Sequence, residues 1–361
     1  MHVHKKTSIE MNAPYWAHRD NTLSLGCQHC EEFGICGGLK IEHPAMDCME
    51  FCSCKDPTKC GLPCLKNPKM LVARFREVGG WNLLSVPRAS TVRMPELPAV
   101  IPIIYQKNRR LDSLDSAAVA ICLHSLFNKR TGAPKFNSKE EVALKFKFDP
   151  RAALVIVGVG KDRGLEAYWE RARNRRFPEA LKRLNPAMVT TPNFSLFTSV
   201  VRWDNFHSMK RIAICWQEMA DAGLPASLHL NARTDRDYER WVEFLIQREE
   251  INSVTFEFGT GAGIPARAQW HVDWLCKVGE RTQRRLLLLV RGGLRHVKVL
   301  QKYYKSTVLI DSNSFMKAES RRILDIKNGQ ATWVPAITLQ NQAIDALLQH
   351  NVNEIAKFKL G

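Results

Sequence analysis

The chain has 361 residues, of which 45% are hydrophobic, enough for one large folded unit with attachments or for two smaller domains. Its 53 Lys and Arg residues against 36 Asp and Glu residues give a formal charge of +17, which favours a polyanionic partner, most often nucleic acid, over a small metabolite. No apolar run approaches the roughly 20 residues that span a bilayer, and the start, MHVHKKTSIEMNAP, lacks a signal-peptide segment, so we expect a cytoplasmic protein with no membrane partner.

Eight of the 11 cysteines lie in the first 64 residues, among turn-forming Gly and Pro residues. So short a stretch cannot build an ordinary core, but a bound metal ion organises four thiolates and replaces the missing hydrophobic burial. We therefore predict a metal-binding module over residues 1–68, with two four-cysteine sites for zinc or, alternatively, an iron–sulfur cluster. The predicted metal ligands are Cys27, Cys30, Cys36, Cys48, Cys52, Cys54, Cys60 and Cys64.

After a connector at residues 69–98, short apolar β-branched runs alternate with longer amphipathic stretches. The runs cover residues 101–106, 118–124, 153–160, 187–193, 226–231, 253–259, 285–293 and 307–312. The alternation predicts an α/β fold in which parallel strands are joined by helices, and eight such units match a TIM-type (β/α)8 barrel, here at residues 99–330. A doubly wound open sheet is the alternative.

Helix-end signals support this division of the chain. One amphipathic stretch, MKRIAICWQEMADAG, ends at Gly223, and the next begins behind Thr234 or Asp235, which are good N-cap residues. The last part of the chain, residues 331–361, has helical apolar spacing and predicts a C-terminal helical tail that covers one face of the barrel.

Two carboxylates stand at the carboxyl ends of predicted strands, where the active sites of TIM barrels lie. In SVTFEFG, Thr255 and Glu257 share one face and the apolar residues share the other, so Glu257 is expected to point into the barrel. Asp311 ends the eighth strand. We predict that Asp311 and Glu257 are catalytic, as nucleophile or oxocarbenium stabiliser and as general acid or base. The alternative for each is a helix cap or an ion pair with arginine.

Further polar residues are expected on the same rim. Asparagine and histidine side chains are predicted to hydrogen-bond a base edge or sugar hydroxyls. An arginine and the glycine pair that follows it are predicted to hold a phosphate, and a salt bridge from that arginine to Asp311 or Glu257 is the alternative. The predicted substrate-binding residues are Asn193, His229, Asn231, Arg291, Gly292, Gly293 and Lys161.

Two resemblances bear on function. The stretch TPNFSLFTSVVRWDNFHSMKRIAICW is similar to a bacterial and phage-borne family of uncharacterised barrel proteins, and the cysteine-rich start followed by REVGGWNLLSVPRA resembles the front of related proteins. At the level of fold, a basic barrel with metal-binding cysteines and acidic strand ends resembles the guanine transglycosylases of tRNA and DNA and phage-defence DNA glycosylases. The transglycosylases, however, carry their zinc cysteines after most of the barrel, whereas here they precede it.

These resemblances imply chemistry at the bond between a base and its sugar. We predict an enzyme that excises or exchanges a nucleobase, with DNA as the expected partner and the target nucleotide flipped into the barrel mouth. Two alternatives stay open. One is a hydrolase or lyase of phosphorylated sugars or nucleotides, and the other is a non-catalytic, metal-stapled nucleic-acid-binding protein.

Overall fold

The computed structural model describes residues 22–23, 27, 29–38, 40–41, 68–106, 109–197, 202–259, 261–263, 265–327, 330–339 and 341–360. Eight parallel strands form the central sheet, and from the second to the eighth each strand pairs with the next one along the chain. They are β1 (Val100–Pro102), β2 (Ala118–Cys122), β3 (Ala153–Val157), β4 (Met188–Thr190), β5 (Ala226–His229), β6 (Ser253–Glu257), β7 (Leu287–Arg291) and β8 (Ser306–Asp311).

The sheet forms a nearly closed barrel, consistent with a TIM-type fold. Strand β8 pairs in parallel with β1, and a single parallel bridge between Ile103 and Ala120 joins the end of β1 to β2. All eight predicted strands are present in the predicted order. The structure therefore confirms the α/β barrel and removes the open-sheet alternative.

Helices surround the barrel, and their ends follow the sequence signals. The helix Asp235–Gln247 begins behind Thr234, whose hydroxyl accepts a hydrogen bond from the Asp237 amide, and the helix Arg202–Asp221 is followed by Gly223 at a φ of 78°. Every described helix is too short or too polar to cross a membrane. The described α-helices of four or more residues after residue 67 are α1 (Pro68–Val78), α2 (Lys139–Phe146), α3 (Asp162–Ala167), α4 (Phe177–Lys182), α5 (Arg202–Asp221), α6 (Asp235–Gln247), α7 (Pro265–Arg281), α8 (Val297–Leu300), α9 (Asn313–Glu319) and α10 (Asp345–Leu360).

Strand alternation divides the apolar residues into two layers. Val155 and Ile310 belong to the core inside the barrel, whereas Val254 and Phe256 belong to the larger core between the strands and the helices. Both layers are buried, because a parallel barrel is covered on its outer face by helices. Glu257 alternates with the outward-facing Phe256 and so lies on the inner face.

The C-terminal tail replaces a missing helix. The described part of the link between β1 and β2 contains no helix, and α10 packs beside β1 instead. Arg110, which is buried in this link, reaches Asp345 at 3.1 Å and donates to the carbonyl oxygen of Phe146 at 2.6 Å. A hairpin of β9 (Arg322–Lys327) and β10 (Gln330–Pro335) leads into the tail and contains the predicted boundary between residues 330 and 331.

Buried cations attach the connector to the barrel. Arg240 donates to the carbonyl oxygen of Trp81 at 2.6 Å, Arg248 donates to that of Leu84 at 2.6 Å, and Lys210 donates to that of Asn82. Lys210 belongs to α5, Arg240 belongs to α6, and Arg248 directly follows α6. All three cationic side chains donate hydrogen bonds to backbone carbonyl groups of residues 81–84. Part of the basic surplus is therefore structural and is not exposed to a polyanion.

Candidate active site

The barrel interior is polar along β5 and β6. Three hydroxyl groups form a buried chain there: Ser253 donates to Ser227 at 2.9 Å, and Ser227 lies 2.5 Å from Thr255. His229 and Glu257 are the next inward-facing residues of β5 and β6, and they lie at the carboxyl end of the barrel. The buried hydroxyl groups thus lie beneath His229 and Glu257 on the inner face of the barrel.

Glu257 forms a buried ion pair with Arg291. The two residues are directly opposite each other in the pairing of β6 with β7, and Nη1 of Arg291 lies 2.8 Å from Oε2 of Glu257. The backbone N–H of Gly259 donates to Oε1. Burial raises the pKa of the Glu257 carboxyl above its usual range, and the charge of Arg291 opposes that rise. Of the two predicted roles for Arg291, the salt bridge is thus the one whose contact is present.

His229 has one hydrogen-bonded ring nitrogen and one without a partner. Nδ1 lies 3.1 Å from the carbonyl oxygen of Thr191, which only accepts, so in the neutral ring Nδ1 carries the proton and Nε2 is the acceptor. Nε2 is buried and has no hydrogen-bond partner among the described residues. Burial, with a smaller contribution from the charge of Arg291, lowers the pKa of His229 to about 4 in spite of the hydrogen bond with Thr191. A neutral imidazole therefore presents a lone pair at the mouth.

The two predicted asparagines are in contact with each other. Nδ2 of Asn231 donates to Oδ1 of Asn193 at 2.9 Å and to the carbonyl oxygen of Phe194 at 2.9 Å. Arg233 donates to Oδ1 of Asn231 at 3.2 Å. The amide of Asn231 is therefore held by its neighbours, and Asn193 is the half-buried member of the pair.

Asp311 is turned away from this pocket. Its inward-facing neighbour is Ile310, so the Asp311 side chain lies on the outer face of β8. Its carboxylate accepts the backbone N–H groups of Asn313 at 2.8 Å and Ser314 at 3.1 Å, in the first turn of α9. This geometry differs from the prediction that Asp311 and Glu257 face one opening as a pair. Adjacent residues of a strand point to opposite faces, and in β8 the inward-pointing residue is Ile310.

The predicted phosphate cradle is occupied by the protein itself. The Gly292 amide donates to the carbonyl oxygen of Ile310 at 3.4 Å, and Gly292 and Gly293 both adopt left-handed φ angles, of 71° and 68°. A Cβ atom on Gly293 would lie 2.6 Å from the ring of Phe258, so this glycine allows the β6 and β7 loops to pack closely. Lys161, by contrast, is exposed at the start of α3.

Sequence reasoning missed three residues at the mouth: Tyr105, Cys122 and His124. Cys122 ends β2 on the inner face, where it packs in the core inside the barrel, interacts with Tyr105 and feels the charges of Arg291 and Glu257. Burial raises the pKa of its thiol to about 11, so the thiol stays protonated at neutral pH. The period-two alternation of Ala118, Ala120 and Cys122 was the available signal.

The cysteine-rich segment is described only in part. Cys27, Cys30 and Cys36 lie in it, and the turn of helix at Phe33–Cys36 contacts α6, where Arg236 donates to the carbonyl oxygen of Gly34 at 2.6 Å. Within the described residues, no three His, Cys, Asp or Glu side chains are grouped to hold a metal. Five of the predicted ligands lie outside the described residues: Cys48, Cys52, Cys54, Cys60 and Cys64.

The mouth thus combines a buried carboxylate, its arginine partner and a neutral imidazole. Such a set can stabilise a developing positive charge and accept a proton from a bound water. Comparison with known proteins adds no assignment for these residues: no protein-family model matches the chain, and no curated protein matches its sequence significantly.

Proposed function

We propose that the protein cleaves or exchanges the N-glycosidic bond of a nucleobase in nucleic acid, with the reaction taking place at Glu257. One observation carries this proposal: a buried carboxylate, ion-paired with Arg291 at 2.8 Å, shares the inner wall of the barrel mouth with Nε2 of His229, which has no hydrogen-bond partner in the described part of the chain. Glycosidic cleavage needs a negative charge near the anomeric carbon and a base for the incoming nucleophile, and this wall supplies both.

The two residues take different parts in the reaction. As the C1′–N bond breaks, its electron pair leaves with the base, and the Glu257 carboxylate stabilises the positive charge that develops on the sugar. Water then attacks C1′ and His229 Nε2 accepts its proton, or a second base attacks in an exchange. Arg291 favours the ionised form of Glu257 in spite of its burial.

The charge of the chain supports a nucleic-acid substrate. The formal charge is +17, and the cations that bind the connector account for only part of it. A nucleobase inside a duplex cannot reach the bottom of a barrel mouth, so the target nucleotide is flipped out of its stack or is single-stranded. The metal-binding cysteine module, as predicted from the sequence, would provide a further contact to the backbone. A role in phage defence belongs to this same proposal.

A second candidate is a hydrolase or lyase of a phosphorylated sugar. The position of Asp311 favours this candidate. Because the Asp311 carboxylate accepts the amides at the start of α9, the mouth contains one carboxylate, Glu257, and one imidazole, His229. One carboxylate and one imidazole also suit proton transfer on a sugar. The two candidates differ in product: glycosidic cleavage in DNA or RNA releases a free base, whereas the sugar reaction leaves nucleic acid intact.

The test is to incubate the purified protein with modified and unmodified phage DNA, and with RNA, and to measure released bases by mass spectrometry. We expect a base from at least one substrate, and roughly 100- to 10,000-fold less of it from Glu257→Gln. Glu140→Gln, an exposed carboxylate on α2, is the matched control and should release base at the wild-type rate. Release of no base from any nucleic acid, or equal release by Glu257→Gln, would contradict the proposal.

A further inference from the structure

A column of polar residues continues the inner face of β5 past the end of the strand. A hydrogen bond from the Leu230 amide to the carbonyl oxygen of Thr255, at 2.9 Å, extends the pairing with β6. Apolar residues here are buried in the core between the strands and the helices: Leu228, Leu230 and Ala232. Because side chains alternate, the polar residues lie on the inner face. In order towards the mouth they are Ser227, His229, Asn231 and Arg233.

Arg233, the last member of this column, is fixed by uncharged acceptors. Its Nη1 donates to Oδ1 of Asn231 at 3.2 Å and to the carbonyl oxygen of Ala232 at 2.9 Å. The other edge of the guanidinium, formed by Nε and Nη2, has no hydrogen-bond partner among the described residues. The side chain is half-buried, and burial lowers its pKa to about 10, so it stays charged at neutral pH. A fixed positive charge therefore has one open edge.

The two carboxylates that follow Arg233 in the chain bind other groups. Oδ1 of Asp235 accepts the indole N–H groups of two tryptophans of α7, at 2.6 and 3.0 Å. Asp237 forms a buried ion pair with Arg202 and accepts the backbone N–H of Arg233 at 2.9 Å. Within the described ranges, no carboxylate lies at ion-pair distance from the Arg233 guanidinium. A half-buried charge of this kind calls for an anion from outside the chain.

The open edge is the one with which other arginines of this chain bind carboxylates. Arg173 contacts Glu218 through Nε at 2.8 Å and through Nη2 at 2.6 Å. Arg151 contacts Asp149 through the same two atoms, at 3.1 and 2.6 Å. These two N–H groups match two oxygens of one carboxylate or phosphate. The group that fits the open edge of Arg233 is therefore an oxyanion.

Asn193 adds a donor beside this edge. Its Oδ1 accepts from Nδ2 of Asn231 at 2.9 Å, and its own Nδ2 has no hydrogen-bond partner in the part of the chain that the structure describes. Two residues of extended chain span roughly 7 Å. The guanidinium that contacts Asn231 thus lies about one such step from His229, a distance that a sugar–phosphate unit spans. A phosphate at Arg233 therefore leaves its sugar near His229.

We propose that Arg233 and Asn193 form a phosphate-binding subsite of the barrel mouth, which holds a phosphate of the substrate while its sugar lies between Glu257 and His229. For the identity of the reacting group this inference rests on the proposed function, but the subsite itself depends only on the open edge of Arg233 and its neighbours. It moves the phosphate away from the β7 loop, where Arg291 is engaged with Glu257.

The experiment measures binding of a short fluorescent oligothymidylate to the full chain by anisotropy over a range of salt concentrations. Arg233→Gln is compared with Arg285→Gln, which removes the same charge from an exposed site just before β7, at the amino end of the barrel. For single strands, each lost phosphate contact lowers the magnitude of the slope of log affinity against log salt by roughly 0.7. We expect that loss in Arg233→Gln and a wild-type slope in Arg285→Gln. Equal slopes in the two variants, or no binding by the wild-type protein, would rule out the subsite.

Arg233→Lys separates the anion contact from a structural role. Lysine keeps the charge, so the salt slope should stay at the wild-type value, but it lacks the paired N–H edge, so affinity should fall by roughly tenfold. Thermal unfolding checks that each variant folds. If Arg233→Gln does not fold, Arg233→Lys decides the question, and wild-type affinity in that variant would overturn the proposal.

Asn193 should contribute affinity without contributing to the salt slope, because its amide carries no charge. We therefore expect Asn193→Ala to bind the oligothymidylate more weakly with an unchanged slope. Wild-type affinity in this variant would remove Asn193 from the subsite.

Competition with ribose 5-phosphate identifies the source of the phosphate. Displacement of the oligonucleotide from the wild-type protein, with little effect on Arg233→Gln, assigns the subsite to a phosphate monoester. No displacement, with the salt slope still lowered in Arg233→Gln, assigns it to the nucleic-acid backbone.

Failure of this inference is separable from failure of the proposed function. Base release together with normal binding by Arg233→Gln would leave the reaction standing and remove the subsite. A lowered salt slope in Arg233→Gln without base release from any nucleic acid would do the reverse.

Discussion

Arg291 and Glu257 face each other across β7 and β6, with 2.8 Å between guanidinium nitrogen and carboxylate oxygen, and both lie largely out of solvent. The pair fixes the charge at the centre of the mouth. Burial raises the pKa of the Glu257 carboxyl, and the charge of Arg291 opposes that rise.

The first prediction concerns the stability of this pair. Arg291→Met should lower the free energy of unfolding by roughly 3–5 kcal/mol, because it leaves a buried carboxylate without a partner. The double variant Arg291→Met/Glu257→Gln should recover most of that loss, since neither charge is then buried alone. Urea denaturation measures both. Lys357→Met, which breaks the exposed Lys357–Glu354 pair on α10, should cost less than about 1 kcal/mol. Similar losses in the single and double variants would contradict this account.

The second prediction is a pH dependence that comes from His229. Its pKa is about 4 in the folded protein, against 6.5 for an ordinary histidine, so between these values the unfolded state binds more protons. The free energy of unfolding should therefore fall on acidification from pH 6.5 to 4, by roughly 3 kcal/mol from this group. His229→Gln should remove that part of the slope in denaturation curves recorded across the window. Parallel curves for the two proteins would show that the ring is not buried as described.

The third prediction separates Asp311 from the reaction. Its carboxylate accepts two amides at the start of α9, so Asp311→Ala should cost roughly 0.5–2 kcal/mol of stability, and Asp311→Asn less, because its amide oxygen still accepts one of them. If the mouth works through Glu257, Asp311→Asn should release base within a few-fold of the wild-type rate. A loss as large as that of Glu257→Gln would restore Asp311 to the catalytic pair.

The fourth prediction concerns the cysteine module. Eight thiols in two four-cysteine sites should bind two zinc ions per chain, found by elemental analysis of colourless protein, or an iron–sulfur cluster, seen as a brown protein with visible absorption. A chelator should then lower the thermal stability of the module, because metal binding and folding are coupled. Cys276→Ser, outside the module, is the matched control and should leave the metal content unchanged. Protein purified without zinc or iron after metal-supplemented expression would contradict the prediction.

Local sequence patterns were enough to identify the strands and the orientation of Glu257. The β/α alternation predicted eight parallel strands, and in SVTFE the polar and apolar residues alternate, so the polar set had to face the barrel interior while the apolar set met the helices. Thr234 and Gly223 marked helix ends for the same reason: capping and left-handed turns depend on residues that are neighbours in the chain.

Asp311 shows where that reasoning stopped. A barrel strand is buried on both faces, so an apolar run such as TVLID does not indicate which alternate set points inward. In β8 the inward set contains Ile310, and Asp311 therefore meets the amides of α9. Likewise, only the arrangement of the strands in the barrel brings the end of β2 near Arg291.

The sequence by itself determined the barrel, its strand order and the inward Glu257, since these follow from short-range periodicity and charge. Tertiary structure alone decided that Arg291 pairs with Glu257 and that α10 packs beside β1. These contacts join side chains whose proximity depends on the closure and stagger of the sheet, which no local pattern encodes.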